Sequence, residues 1–154
     1  MGQATHEQAN LMLRLYELRR EPRMRQARDW FMNHYESVGP EKWMEKYPPT
    51  SEESTSIRMV TSYWEMCASL VNRGLIDEEL FFENTGEAWL VWEKIKDVAP
   101  AWRAIMKNPA VFANLEELAR RCDAWREKKA PGGTEAMRQM MAQMTQARAK
   151  AGGA

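Results

Sequence analysis

Two histidines and two cysteines are all that this chain of 154 residues offers for metal or thiol chemistry. Neither His6 nor His34 stands three residues after a glutamate, so the Glu-x-x-His spacing that holds paired metals inside helical bundles is missing. Cys67 and Cys122 have no C-x-x-C spacing and no Cys/His cluster around them. Each falls on the apolar side of its segment, where burial keeps a thiol protonated and inert. That usage suits a reducing compartment and gives no disulfide framework. No nucleotide-binding motif is present, so no cofactor is expected and no catalytic residue is assigned.

An excess of charge is missing too. Lys and Arg number 22 and Asp and Glu number 22, so no net field draws the protein toward nucleic acid or an anionic membrane, and such a partner would have to meet a local patch. Long apolar runs are absent: none approaches the roughly 20 residues of a membrane span. The leucines near the N-terminus are interrupted by Arg14, Glu17 and Arg19, which leaves no apolar core for a signal peptide. The Met-Gly start has His6 where the myristoylation pattern needs Ser or Thr. The expectation is a soluble, cytoplasmic protein.

What is there is bulk and helical punctuation. Hydrophobic residues make up 44% of the chain, with seven Trp, four Phe and four Tyr, enough for one contiguous core. Alternating β-branched runs are missing. Thr5 caps a first helix to about Arg20, and Pro22 opens a second that runs to near Gly39 with Met24, Ala27, Trp30, Phe31, Tyr35 and Val38 as its apolar positions. Pro40 opens a short helix that Pro48 and Pro49 end. Asp77 caps the segment EELFFEN, a helix carrying Trp89 and Trp92 follows, Pro100 begins a short piece, and Asn108-Pro109 starts the last long helix of the domain.

The clearest element runs from about Glu53 to Arg73. At 100° per residue, Ile57, Val60, Trp64, Cys67 and Val71 form one stripe, with Met59, Tyr63, Met66 and Leu70 beside it. Thr61 and Glu65 fall on the polar arc. So wide an apolar face predicts packing against two or more neighbours at the centre of a bundle. Gly74 is expected at positive φ as the helix stop, with Leu75-Ile76 supplying the accompanying apolar contact.

Three features invite a functional reading. The acidic run Asp77, Glu78, Glu79, Glu83 and Glu87 lacks the D-x-D-x-D-G loop of a calcium site, and helix capping with a solvated face accounts for it. Arg14, Arg19, Arg20, Arg23, Arg25 and Arg28 gather around the turn between the first two helices. Arg19, Arg20, Arg23 and Arg25 are the candidate anion contacts there, although the patch is also able to pair with the acidic Asp77 to Asp97 region of the same molecule, the favoured reading. Beyond Pro131-Gly132-Gly133, the segment from Thr134 has no aromatic or branched aliphatic side chain. Met137, Met140, Met141 and Met144 make a narrow flexible stripe on it, of a kind suited to an adaptable protein partner or to an unoccupied tail.

The stretch SYWEMCASLVNRGLIDEELFF, followed by GEAWLVWEKIKDVAPAWR, resembles an uncharacterised bacterial all-helical family. The likeness covers about residues 55 to 125, less than half of the chain. It rests on Trp64, Leu70, Gly74, Asp77, Phe81 and Trp92, which are core, stop and cap positions. Members of that kind often carry an N-terminal membrane helix, which has no counterpart in these residues. The resemblance implies a helical fold and no activity.

The expected fold is all-α: a compact bundle of about six or seven helices over residues 1–130, then a linker and a tethered methionine-rich helix over 131–154. The expected role is a non-catalytic protein-interaction or regulatory module, its partner a second copy or another protein met through the C-terminal helix. Two other readings stay open. One is a weak binder of nucleic acid or anionic surfaces through Arg14 to Arg28, with nucleic acid not favoured. The other is an enzyme whose site is assembled from scattered residues.

Overall fold

A computed structural model describes residues 2–153. Those residues form nine α-helices and no strand. They are α1 (His6–Arg19), α2 (Pro22–His34), α3 (Pro40–Lys46), α4 (Glu52–Asn72), α5 (Glu78–Asn84), α6 (Glu87–Ile95), α7 (Ala99–Met106), α8 (Ala113–Lys129) and α9 (Gly133–Gly152). The all-α expectation holds, while the count of six or seven is too low. The short α3, α5 and α7 each stand as separate elements between a proline or cap and a break. No helix among the described residues is long and apolar enough to cross a membrane. The chain divides into two compact units, residues 1–119 and 120–154, and the division falls within α8.

In the first unit four helices begin at a side-chain cap that accepts from the N–H three residues on. Thr5 accepts from the Gln8 N–H while Gln8 reaches back to the Thr5 N–H, a reciprocal cap on α1. Glu21, Ser51 and Asp77 accept from N–H groups three residues on, at the starts of α2, α4 and α5. After α4, Gly74 stands at φ +74°. Its N–H reaches the Val71 carbonyl at 2.9 Å and that of Leu75 the Leu70 carbonyl at 3.0 Å, the paired bonds of a Schellman stop. Ile76 folds into the core directly after it.

Helix α4 lies against α2, α5 and α6, and α1 packs on α2. Its buried face is the stripe Ile57, Val60, Trp64, Cys67 and Val71, widened on one side by Ala68 and Thr61. Thr61 is therefore inside, not on the polar arc, because its hydroxyl donates to the Ile57 carbonyl one turn back at 2.8 Å and carries no unmet polar group into the core. The second stripe is only half-buried, and Met66 is exposed.

Two boundaries differ from expectation. Helix α2 ends at His34, short of Gly39, since Tyr35 takes an extended backbone. There its ring stacks on Phe31 and Tyr47 and meets the edge of Trp43, and the aromatic cluster outweighs one more helical turn. Asn108-Pro109 does not begin α8: Lys107 and Phe112 sit at φ 49° and 57°, and the helix starts at Ala113. Its first turn is capped from a distance. The Glu65 carboxylate accepts from the N–H of Asn114 at 3.0 Å and of Leu115 at 2.8 Å, the service an N-cap side chain normally gives.

The second unit contains the end of α8 and all of α9, joined by Ala130, Pro131 and Gly132. Gly132 takes φ +82°, and the Glu127 carboxylate accepts from the N–H of Gly132 at 3.0 Å and of Thr134 at 3.2 Å. The hydroxyl-bearing Thr134 is not the cap of α9. Gly132 occupies that position, and Thr134 lies buried one step inside the helix with its hydroxyl donating to Asp123 at 3.3 Å.

Candidate functional site

Helices α1, α4 and α5 of the first unit enclose a cleft of about 250 Å³. Helix α1 supplies Met12, Leu15, Tyr16 and Arg19 at spacings of three, four and seven, one face of a helix. Leu13 adds to the rim. Helix α4 supplies Tyr63, Trp64 and Cys67, and α5 supplies Phe81 and Asn84, followed by Thr85. The walls are mostly apolar, and two large side chains of the rim, Leu13 and Tyr16, are 55% and 46% exposed.

Tyr63, Asn84 and Thr85 on the cleft are tied within the chain. The Tyr63 hydroxyl donates to the Leu15 carbonyl, binding α4 to α1. Burial pushes the Tyr63 hydroxyl above the ordinary phenol range, and it pushes the Cys67 thiol up to about 12. Neither is an anion near neutral pH.

Beside the cleft stands a charged cluster centred on Glu87, the first residue of α6, where a carboxylate also faces the positive end of the helix dipole. Arg28 grips it with two bonds, Nε to Oε1 at 2.7 Å and Nη2 to Oε2 at 2.6 Å. The hydrogen bond to Glu87 is the largest of the effects that hold the Arg28 guanidinium above its already high ordinary pKa. The indole N–H of Trp64 donates to Oε1 at 3.3 Å. Arg19 approaches Oε2 only to 3.7 Å, and its guanidinium lies 4.7 Å from the Tyr16 ring centre and 6.0 Å from that of Trp64.

The arginines of the basic turn thus go to different places. Arg19 faces the cleft and Glu87. Arg20 lies over the Tyr16 ring as well, 5.6 Å from its centre. Arg23 lines a groove of about 330 Å³ with Trp30, Glu52 and Glu53, and Arg25 lines another with Arg28 and Asp29. In the second unit Met137 and Met141 are half-buried, while Met140 and Met144 are 54% and 48% exposed. Among the described residues no group of three His, Cys, Asp or Glu side chains is placed to hold a metal ion.

Sequence reasoning put Arg28 and Glu87 in opposite patches that could pair, but it did not single out either residue. It also missed the cleft. Tyr16, Leu13 and Tyr63 carry no motif, and only the approach of α1 to α4 and α5 gives them a common purpose.

Together these features define a class: an all-helical domain with an apolar cleft beside a largely buried arginine–glutamate cluster. The chain belongs to the family described as a domain of unknown function, DUF4760, whose sequence model matches residues 4–122. That match takes in the whole cleft and the Glu87 cluster and stops before α9. It agrees with the resemblance to an uncharacterised domain family and extends toward the N-terminus. No curated protein and no solved structure matches the chain.

Proposed function

We propose that the chain is a non-catalytic helical interaction module that meets a protein partner, a second copy or another chain, through the methionine face of α9. The observation that carries this reading is the placement of Met137, Met140, Met141 and Met144 at i, i+3, i+4 and i+7, with Met140 and Met144 about half open to water. Unbranched, polarizable thioethers repack readily against differently shaped surfaces. The protonated state of Cys67 and Tyr63 supports the non-catalytic half, because the nucleophiles nearest the cleft are held in their unreactive forms. On this reading residues 1–130 are the folded domain and 131–154 the partner-facing element, in a cytoplasmic setting.

The basic turn is the weaker basis for a function. Arg28 and, more loosely, Arg19 are engaged with Glu87, which leaves Arg20, Arg23 and Arg25 as the contacts for any anionic surface.

The test replaces Met140 and Met144 together by Glu. The variant should keep the melting temperature of the parent and lose its self-association in light scattering, or lose a partner cross-linked to the parent in cells. A parent that is monomeric, with cross-linked partners unchanged in the variant, refutes the proposal.

A further inference from the structure

The charges beside the cleft do not balance. Arg19 and Arg28 bring two positive charges to the one negative charge of Glu87. Arg28 takes both carboxylate oxygens in a fork at 2.6 and 2.7 Å, and Trp64 takes a further position on Oε1. Arg19 is left with the long contact at 3.7 Å and the face of Tyr16. The cluster therefore carries one surplus positive charge, and the arginine that holds it lines a mostly apolar cleft. A half-buried cation in such surroundings gains more from an arriving anion than it would on an open surface.

We propose that this cleft binds a small amphiphile consisting of one short apolar chain and one carboxylate, the chain lying against Leu15, Trp64 and Phe81 and the carboxylate facing Arg19. The volume of about 250 Å³ lies just below the roughly 300 to 1,000 Å³ of common ligand sites, which limits the chain to modest length. A single surplus charge matches a monoanion, and the planar fork of Arg19 fits a carboxylate. The exposed Leu13 and Tyr16 on the rim would lose water contact when the chain enters. The proposal concerns the cleft of the first unit alone and stands apart from the methionine face.

The probes are sodium octanoate and, as an uncharged counterpart, octan-1-ol, titrated into the full chain by calorimetry with the Trp64 indole N–H followed by NMR. Octanoate should shift that signal and bind more weakly as salt rises, while octanol binding stays insensitive to salt. Arg19→Met should weaken octanoate by about tenfold, the value of a charge-assisted contact, and leave octanol unchanged. Arg14→Met, which removes an exposed charge on the opposite face of α1, should leave both unchanged. The proposal is overturned if octanoate does not perturb Trp64, or if its affinity is the same in Arg19→Met. Should Arg19→Met fail to fold, the salt series on the parent decides: octanoate binding that ignores salt overturns the role of the cation.

Discussion

The two units are held by different means. In residues 1–119 the buried side chains are aromatic and aliphatic: Phe31, Val60, Trp64, Ile76, Trp89, Val91 and Leu115 are almost wholly out of water. In residues 120–154 the buried side chains are Cys122 and Thr134, and the turn between the helices rests on polar contacts from Glu127, Asp123, Arg126 and Arg138. Apolar burial is non-directional and accumulates with area. Polar turns depend on geometry, exchange one set of hydrogen bonds for another, and return little net free energy. Most of the stability should accordingly reside in the first unit.

Trp64→Ala is the hardest blow to that contrast. Trp64 is 2% exposed, so its removal should cost about 3 to 5 kcal/mol by leaving a cavity and should deprive Glu87 of a donor. Denaturant melts showing a loss under about 1 kcal/mol would mean that the core does not depend on α4.

A matched pair of charge deletions sharpens the comparison. Glu87→Gln leaves the partly buried Arg28 without its counter-ion and should cost about 2 to 3 kcal/mol. Asp123→Asn in the second unit breaks contacts of 3.6 Å to Arg126 and 3.5 Å to Arg138 and should cost less than about 1 kcal/mol, as open ion pairs do. Equal losses in thermal melts would abolish the distinction.

Alkaline pH probes both units through their thiols. Burial raises Cys67 to about 12 and Cys122 to about 11, from an ordinary value of 9.0. The unfolded chain releases these protons first, so the stability each buried thiol contributes is complete below about pH 9 and drains as pH rises, for Cys122 toward 11 and for Cys67 toward 12. The Tyr35 and Tyr63 hydroxyls, also raised by burial, add to the same decline. Melting temperatures should fall across that range, and Cys67→Ala should flatten the fall more than Cys122→Ala. A flat profile in the parent would contradict the burial of both.

The smallest effect belongs to truncation. A chain ending at Lys129 should keep its melting temperature within about 3 °C, corresponding to about 1 kcal/mol or less at this size. Unfolding or aggregation of the shortened chain would show that α9 contributes to the core.

Much of this fold is local and legible in the order of the residues alone. Thr5, Ser51, Gly74 and Asp77 start or stop helices by bonds spanning three to five residues, Pro22 suits the first helical position by its fixed φ, and the stripe from Ile57 to Val71 follows from the turn angle of a helix. These rules hold within one or two turns of chain, which is why the sequence determines them. The candidate site lies beyond their reach. Arg28 finds Glu87 across 59 residues, Tyr63 finds Leu15 across 48, and Glu65 caps α8 across 49 and 50. The residues between leave no periodic trace of such partnerships. Glu65 and Glu87 look like ordinary solvated carboxylates in the sequence, and only the packing of α1, α2 and α6 around α4 withdraws Glu87 from water and makes its partners matter.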